Sequence, residues 1–415
     1  MSHKALGSCI RYTSVLFALI AMFTTAAVAG EKILYSFTGD EQGEYADTGL
    51  VLDRAGNIYG TTIEGGAHSS GTVFKLTPSG KHTVLYSFHG GSDGSEPYKG
   101  VTLDAAGNLY GTTVAGGSNN CDGGCGVVYK LTNLGGTWVQ SVIHAFTGGA
   151  DGSGAGSPLI FDKHGNIYGM APAGGGTGCF GAGCGVVFRL EPDGTGNWNF
   201  KVLHTFTGGT DGFGGSAGRL LLGHAGHLFG VATNGGENEQ GVVFELAPSP
   251  AGEWKFKTIY AFSGSPDAGF PFGGLIADKF GNLYGTTYFG GTNGFGAVYK
   301  LQRNGSAWSE EVLYSFQGGT DGDSPLSTLL FDAVGNLYGT TSLDGDPECA
   351  CGTIFKLSPD ANGQWTENVE HRFTGPTSDG QLPYPGMVAD SFGNFYGAAR
   401  NGGTHDDGAI YTFVP

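Results

Sequence analysis

The sequence predicts an all-β protein, a seven-bladed β-propeller with four antiparallel strands per blade, and three observations predict it. A phrase of the form Asp-x-x-Gly-Asn-(Leu/Ile)-Tyr-Gly-Thr-Thr recurs seven times, with its first glycine at Gly56, Gly107, Gly165, Gly226, Gly281, Gly335 and Gly393. Each repeat of about 50 to 60 residues carries four short β-rich runs separated by turn residues, and no run of helical period lies between them. The two ends of the repeat region are complementary fragments of one unit.

The run before the recurrent turn, such as Gly49–Asp53, and the run after it, such as Asn57–Thr62, form the two inner strands of a unit. Asp-x-x-Gly joins them, with the glycine free to take a positive φ. A Gly-Gly loop follows, then a third run of the form Gly-x-(Val/Ile)-(Phe/Tyr)-x-(Leu/Phe), seen at Gly71–Leu76, Gly126–Leu131, Gly352–Leu357 and Gly408–Phe413. The fourth and outermost run is Leu85–Phe88, Ile143–Phe146, Leu203–Phe206, Ile259–Phe262, Leu313–Phe316 and His371–Phe373. The chain begins its repeats with a lone outermost run at Lys32–Phe37 and stops at Pro415 after a third run. We therefore expect closure by one N-terminal plus three C-terminal strands, which removes an exposed sheet edge. The glycine of Leu-Tyr-Gly, present in all seven copies, suits a strand that a neighbouring ring or backbone approaches closely.

Composition agrees. Eighty glycines and 16 prolines exclude a helical protein, while 39% hydrophobic and 12% aromatic residues supply a core and exclude disorder. A formal charge of −17 disfavours nucleic acid and anionic lipid as partners. Residues 1–29 read as a signal peptide: Lys4 and Arg11 precede the apolar run Val15–Phe23, and Ala27-Val28-Ala29 offers a cleavage site. That run is too short to span a membrane. The expected mature chain, residues 30–415, is a single domain, secreted or periplasmic, monomeric and without membrane insertion. Its six cysteines fall in tight pairs, Cys121 with Cys125, Cys179 with Cys184 and Cys349 with Cys351, as disulfides do in an oxidising compartment.

The phrases Gly-x-Val-Phe-Lys-Leu and Asn-Leu-Tyr-Gly-Thr-Thr are similar to the tandem repeat called GloVer, over the whole stretch from Lys32 to Pro415. The resemblance implies a secreted bacterial β-propeller protein; members often carry cell-surface anchors, whereas this chain ends at Pro415 without a sorting tail. It implies no catalytic residues.

Function is sought on the more variable face, where the Gly-Gly loops, the cysteine pairs and the Gly-Gly-x-Asp-Gly turns gather. The aspartates of those turns, Asp93, Asp151, Asp211 and Asp321, and those of the inner turns, such as Asp53, are expected to cap local backbone. His144 and His204, which replace tyrosine in the outermost run, are expected to pack or lie exposed. Strings matching a nucleophile elbow (Gly214–Gly218) and a dinucleotide loop (Gly176–Gly181) lack the strand and helix that such motifs need.

Closure makes units six, seven and one contiguous. Asp321, Asp323, Asp344, Asp346 and Glu348 are a candidate calcium set, since oxygen donors suit that ion. No cofactor is otherwise required. Tyr45, Glu64, Tyr384, Arg400 and Asn401 are candidate ligand contacts, Arg400 standing out among seven arginines in a slot filled elsewhere by residues such as Glu64, Val114 or Tyr288. The leading reading is a noncatalytic protein that binds a glycan or protein. The alternative is a polysaccharide lyase, with His405 or His68 as base, Tyr384 as acid and Arg400 neutralising a uronate. A third is a structural envelope component.

Overall fold

The computed structural model describes residues 30–214, 218–305, 307–346 and 348–415, and the expected signal peptide lies outside them. Seven four-stranded antiparallel units make up a β-propeller, with no α-helix among the described residues. Blade one runs from its innermost strand outward as Val51–Leu52, Ile58–Thr62, Thr72–Leu76 and His82–Ser87, and blades two to six repeat that order. Blade five adds Ala268–Pro271, which pairs with the far end of its second strand. Blade seven holds Met387–Ala389, Phe395–Ala399 and Ala409–Val414, and its outermost strand is Gly30–Ser36 from the chain's beginning. The expected closure is thus present, with Glu31 opposite Phe413 and Ile33 opposite Tyr411.

The invariant glycine of the second strand has a steric cause. In each blade it lies in register with the aromatic residue of the third strand, as Gly60 does with Phe74 and Gly397 with Tyr411. The ring crosses the glycine so closely that a Cβ there would meet it at 2.7 Å on Gly60 and 2.6 Å on Gly169, and the same clash recurs at Gly111, Gly230, Gly285, Gly339 and Gly397. The rings themselves, Phe74, Tyr129, Phe188, Phe244, Tyr299, Phe355 and Tyr411, are fully buried.

The inner turns are held by their aspartates. Asp53 Oδ1 accepts the backbone N–H of Ala55 and Asn57, and Oδ2 accepts the Asn57 amide and the Tyr59 hydroxyl. Burial pushes its pKa up, but these hydrogen bonds outweigh burial and hold the carboxyl below its ordinary value. Asp104, Asp162, Asp278, Asp332 and Asp390 repeat the cap. Blade four has Gly223 in that position, and His227 bonds Glu245 at 2.7 Å instead.

Two contacts recur at all seven seams between blades. In the first, a residue with left-handed backbone donates its N–H to a carbonyl of the preceding blade: Tyr45 to Asp407, Glu96 to Ser70, Gly154 to Cys125, Gly214 to Cys184, Phe270 to Gln240, Ser324 to Phe295 and Leu382 to Cys351. Their φ values lie between 55° and 70°, including five non-glycine residues, so this unusual conformation belongs to the architecture. In the second, a tyrosine or histidine on one blade's outermost strand, or the turn residue it bonds, meets the residue opposite the third-strand Leu or Phe position of the next, as Gln140 meets Asp93, the partner of Tyr86. His144 stacks on Phe200 and His204 on Phe256, both at 3.9 Å, while bonding Asp151 and Asp211. Those histidines therefore pack, and their aspartates cap turns as expected.

At three consecutive seams the facing residue is a glutamate: Glu310 by Tyr260 and Asp267, Glu367 by Tyr314 and Asp321, and Glu31 by His371 and Asp379. Each glutamate has one buried oxygen without a partner. Burial first, and then the neighbouring aspartate, pushes Glu310 up to about 8 and Glu367 up to about 7. The three cysteine pairs are all bonded, with Cα separations of 5.1, 5.1 and 5.2 Å. Each packs against the turn after its own blade's outermost strand, at Gly148, Gly208 and Gly375.

Gly230→Ala should destabilise the fold by about 1–3 kcal/mol, because the Phe244 ring occupies the methyl's position. Pairing it with Phe244→Leu should recover part of that loss in denaturant unfolding; additive losses would refute the contact. Glu310 supplies a pH signature. Below about pH 4.5 folded and unfolded chains both hold its proton, but as pH rises toward about 8 only the unfolded chain loses it, so stability falls. Glu310→Gln should leave the melting temperature nearly unchanged at pH 5 and raise it by roughly 1–3 °C at alkaline pH. An equal shift at both pH values would place the effect elsewhere.

Candidate functional site

The two loops of each blade on the variable face are knitted together by short backbone bridges. Glu44 pairs with Glu64, Ser95 with Ala115, Ser153 with Ala173, Phe213 with Asn234, Asp323 with Leu343 and Gln381 with Asn401. This fixes where each loop delivers its side chains. The residues between the left-handed position and the innermost strand line the central channel, and the residue just after the second strand stands above them. Register makes Ile63, not Glu64, the counterpart of Arg400, since Thr62 and Ala399 occupy equivalent ends of their strands. Glu64 corresponds to Asn401.

The channel mouth is a cavity of about 570 Å³ to which all seven blades contribute. Three cations reach it from separate blades: Lys99 from blade two, Arg219 from blade four and Arg400 from blade seven. In the same cavity, blade five supplies an aromatic wall of Phe270, Phe272, Tyr288 and Phe289, with Phe270 and Phe289 edge to face at 5.8 Å. Tyr98 and Tyr384 complete the wall.

Asp47 links two of the cations, Lys99 and Arg400. It is 2% exposed, and its Oδ2 lies 3.7 Å from Arg400 Nη1. Burial pushes its pKa up, opposed by Lys99, by a hydrogen bond from Tyr98 and by Arg400. Lys99 Nζ stands 4.0 Å from the centre of the Tyr98 ring and 5.8 Å from that of Phe272. Although part of its side chain still borders the channel, burial depresses it to about 8, with Asp47 working the other way. Burial and then Asp47 also raise the Tyr98 and Tyr384 hydroxyls. Lys99 therefore adds its charge to those of Arg219 and Arg400 below about pH 8, and the site can hold a carboxylate against arginine while a ring lies on the aromatic residues.

Of the residues expected from sequence, Tyr384 and Arg400 line this mouth, and Tyr45 lies beneath Arg400 with its ring centre 5.7 Å from the guanidinium carbon. Asn401 bonds the Asp406 carbonyl at 3.4 Å, and Glu64 is exposed on the loop above. His68 stacks on His89 at 4.2 Å and His405 bonds Thr404, so neither lines the cavity. The five acidic residues are each engaged locally or exposed. Asp321 accepts from Tyr314 and Gln317, Asp323 from Ser324, Asp344 from the Gly319 N–H and Asp346 from the Glu348 N–H, while Glu348 is exposed. Among the described residues the donors that gather three together, within 4.8 Å of one another, are Glu31, His371 and Asp379.

Sequence reasoning missed Lys99, Arg219, Tyr98 and the blade-five wall. The signal available was positional: each precedes or begins an innermost run, or follows a second run, where the seven copies diverge. A second cavity of about 650 Å³ lies between blades four and five among the inner turns, lined by Phe229, Phe280, Trp308 and Arg303. Its charges are mixed, Lys279 and Arg303 standing with Glu245 and Asp278, and do not make the excess of cations found at the mouth. No helix among the described residues is long and apolar enough to cross a membrane.

The solved structures similar to this chain are distant in sequence. A protein provisionally assigned as a gluconolactonase is 16% identical over 83% of this chain and 93% of its own, with a TM-score of 0.41. A provisionally assigned glucose dehydrogenase-type oxidoreductase from Thermus thermophilus is 15% identical over 93% of this chain and all of its own, at 0.43. A protein of unknown function from Dyadobacter fermentans is 15% identical over 93% and 98%, at 0.45. No curated protein sequence matches the chain. The Gloeobacter/Verrucomicrobia repeat matches residues 20–219, 124–307 and 216–415, which span the whole propeller, and the chain belongs to that family.

Proposed function

We propose that the protein binds a carboxylated glycan at the channel mouth and works outside the cytoplasm. The observation that carries this reading is the convergence of Lys99, Arg219 and Arg400 on one aromatic-walled cavity in a chain with 20 basic and 37 acidic residues. Such a chain repels anions over most of its surface, so a local cluster of cations focuses a negative ligand into the mouth. A sugar ring can lie on Phe272, Tyr288 or Phe289 while its carboxylate meets an arginine fork. The three disulfides support an oxidising compartment.

One observation favours a second reading, proton abstraction from such a sugar. Lys99, depressed to about 8 beside Tyr98 and Asp47, is tuned near neutrality as a general base requires. In that reading Lys99 takes the role expected of His405 or His68, and Tyr384 and Arg400 keep theirs.

A glycan array comparing polyuronates with their neutral counterparts tests the first reading. Acidic chains should bind and neutral ones should not, and Arg400→Ala or Arg219→Ala should each weaken binding roughly 10- to 100-fold without lowering the melting temperature. Lys99 is charged below about pH 8 and neutral above it, so affinity should fall as pH is raised from 7 to 9, and Lys99→Met should flatten that fall. Equal binding of neutral and acidic chains, or binding indifferent to both arginines, would overturn the assignment. Ultraviolet-absorbing unsaturated uronate, formed by wild type and not by Lys99→Met, would establish the second reading.

A further inference from the structure

The seven outer seams are natural replicas of one site, which allows each to be compared with the rest. From the seam of blades seven and one onward, the three facing positions read Tyr35, Gln42 and His82; Tyr86, Asp93 and Gln140; His144, Asp151 and Phe200; His204, Asp211 and Phe256; Tyr260, Asp267 and Glu310; Tyr314, Asp321 and Glu367; and His371, Asp379 and Glu31. Imidazole, aspartate and glutamate coincide at one seam alone among these seven. It is also one of the two seams to which the N-terminal strand contributes, through Glu31.

We propose that Glu31, His371 and Asp379 form a site for a divalent transition-metal ion of the zinc type, which pins the closing strand of blade seven to blade six. His371 Nε2 lies 3.0 Å from Asp379 Oδ2 and 3.9 Å from Glu31 Oε2, and one donor atom from each residue falls within 4.8 Å of the others. An ion bound at about 2.0–2.2 Å in tetrahedral geometry sets its donors about 3.3 Å apart, between those two distances. One nitrogen and two oxygens suit zinc, cobalt or manganese better than calcium, which takes six to eight oxygens.

The Glu31 carboxylate has capacity for a further partner: its side chain is 8% exposed and its Oε1 is buried with no hydrogen-bond partner. Glu310 and Glu367 share that orphaned oxygen, so what sets this seam apart is the imidazole nitrogen beside it, and a cation held by Glu31, His371 and Asp379 would offset the cost of the buried carboxylate. The two glutamate seams with tyrosine in place of histidine lack the nitrogen donor and serve as internal controls. With three protein donors, the fourth position of such an ion stays open to water.

The test uses the tag-free full chain stripped with EDTA and titrated calorimetrically with zinc chloride, with cobalt(II) as a visible-absorption probe. One equivalent should bind, the melting temperature should rise with zinc concentration as mass action requires, and cobalt should give the intense bands of a four-coordinate site. His371→Tyr, which installs the side chain found at two sister seams and should therefore fold, is expected to weaken binding at least about 100-fold, as is Glu31→Gln. Glu310→Gln and His204→Ala should leave it unchanged. No zinc binding at millimolar concentration, or binding of equal strength in His371→Tyr, would overturn the proposal.

Discussion

The contact on which this propeller most depends is the one between a glycine on the second strand and an aromatic ring on the third. Without a Cβ at Gly60 and its six counterparts, the ring lies flat across the blade's centre and fills the space that a side chain would take. Every blade then has the same thickness at the same depth, and seven of them fit around one axis. Interiors packed at crystal density tolerate little variation in such a dimension. The glycine frequency that first looks like a mark of disorder is, at these positions, a requirement of packing.

From that fixed thickness the rest follows outward. Uniform blades bring their loops into equivalent places, so one backbone hydrogen bond from a left-handed residue can serve all seven seams. The same bond turns the chain toward the axis just before each innermost strand. It therefore decides which side chains face the channel: Asp47, Tyr98, Lys99, Phe272 and Tyr384 all follow it within two or three residues. Structure and site here are two ends of one short segment, repeated and then individually decorated.

Much of this was legible because the chain contains its own alignment. Seven copies of a phrase fix strand order, turn chemistry and closure, and they reveal that the Asp53-type carboxylates cap turns. They also expose Arg400 and Tyr384 as departures from pattern. Lys99 and Arg219 were less visible, because their meaning comes from convergence in a closed ring, and residues two blades apart show no proximity along the chain. The acidic residues of blade six pose the opposite difficulty. They are close in sequence, but Asp344 faces the Gly319 N–H and Asp346 its own turn, and spacing carries no information about direction. Glu31 was hidden for a third reason: its partners His371 and Asp379 are at the far end of the chain, and only the register of the closing strand brings them together.

The outer seams divide the ring into arcs of different chemistry. Between blades two and four they are closed by stacked rings, His144 on Phe200 and His204 on Phe256, contacts that need no proton to hold. Between blades four and seven they are closed by carboxyl groups facing one another, whose mutual tolerance depends on a shared proton. Alkaline solution thus loads the arc from blade four to blade seven with facing carboxylates, which the stacked seams do not contain. That arc includes the junction where the two ends of the chain meet. A propeller built from near-identical parts in this way answers unevenly to pH around its circumference.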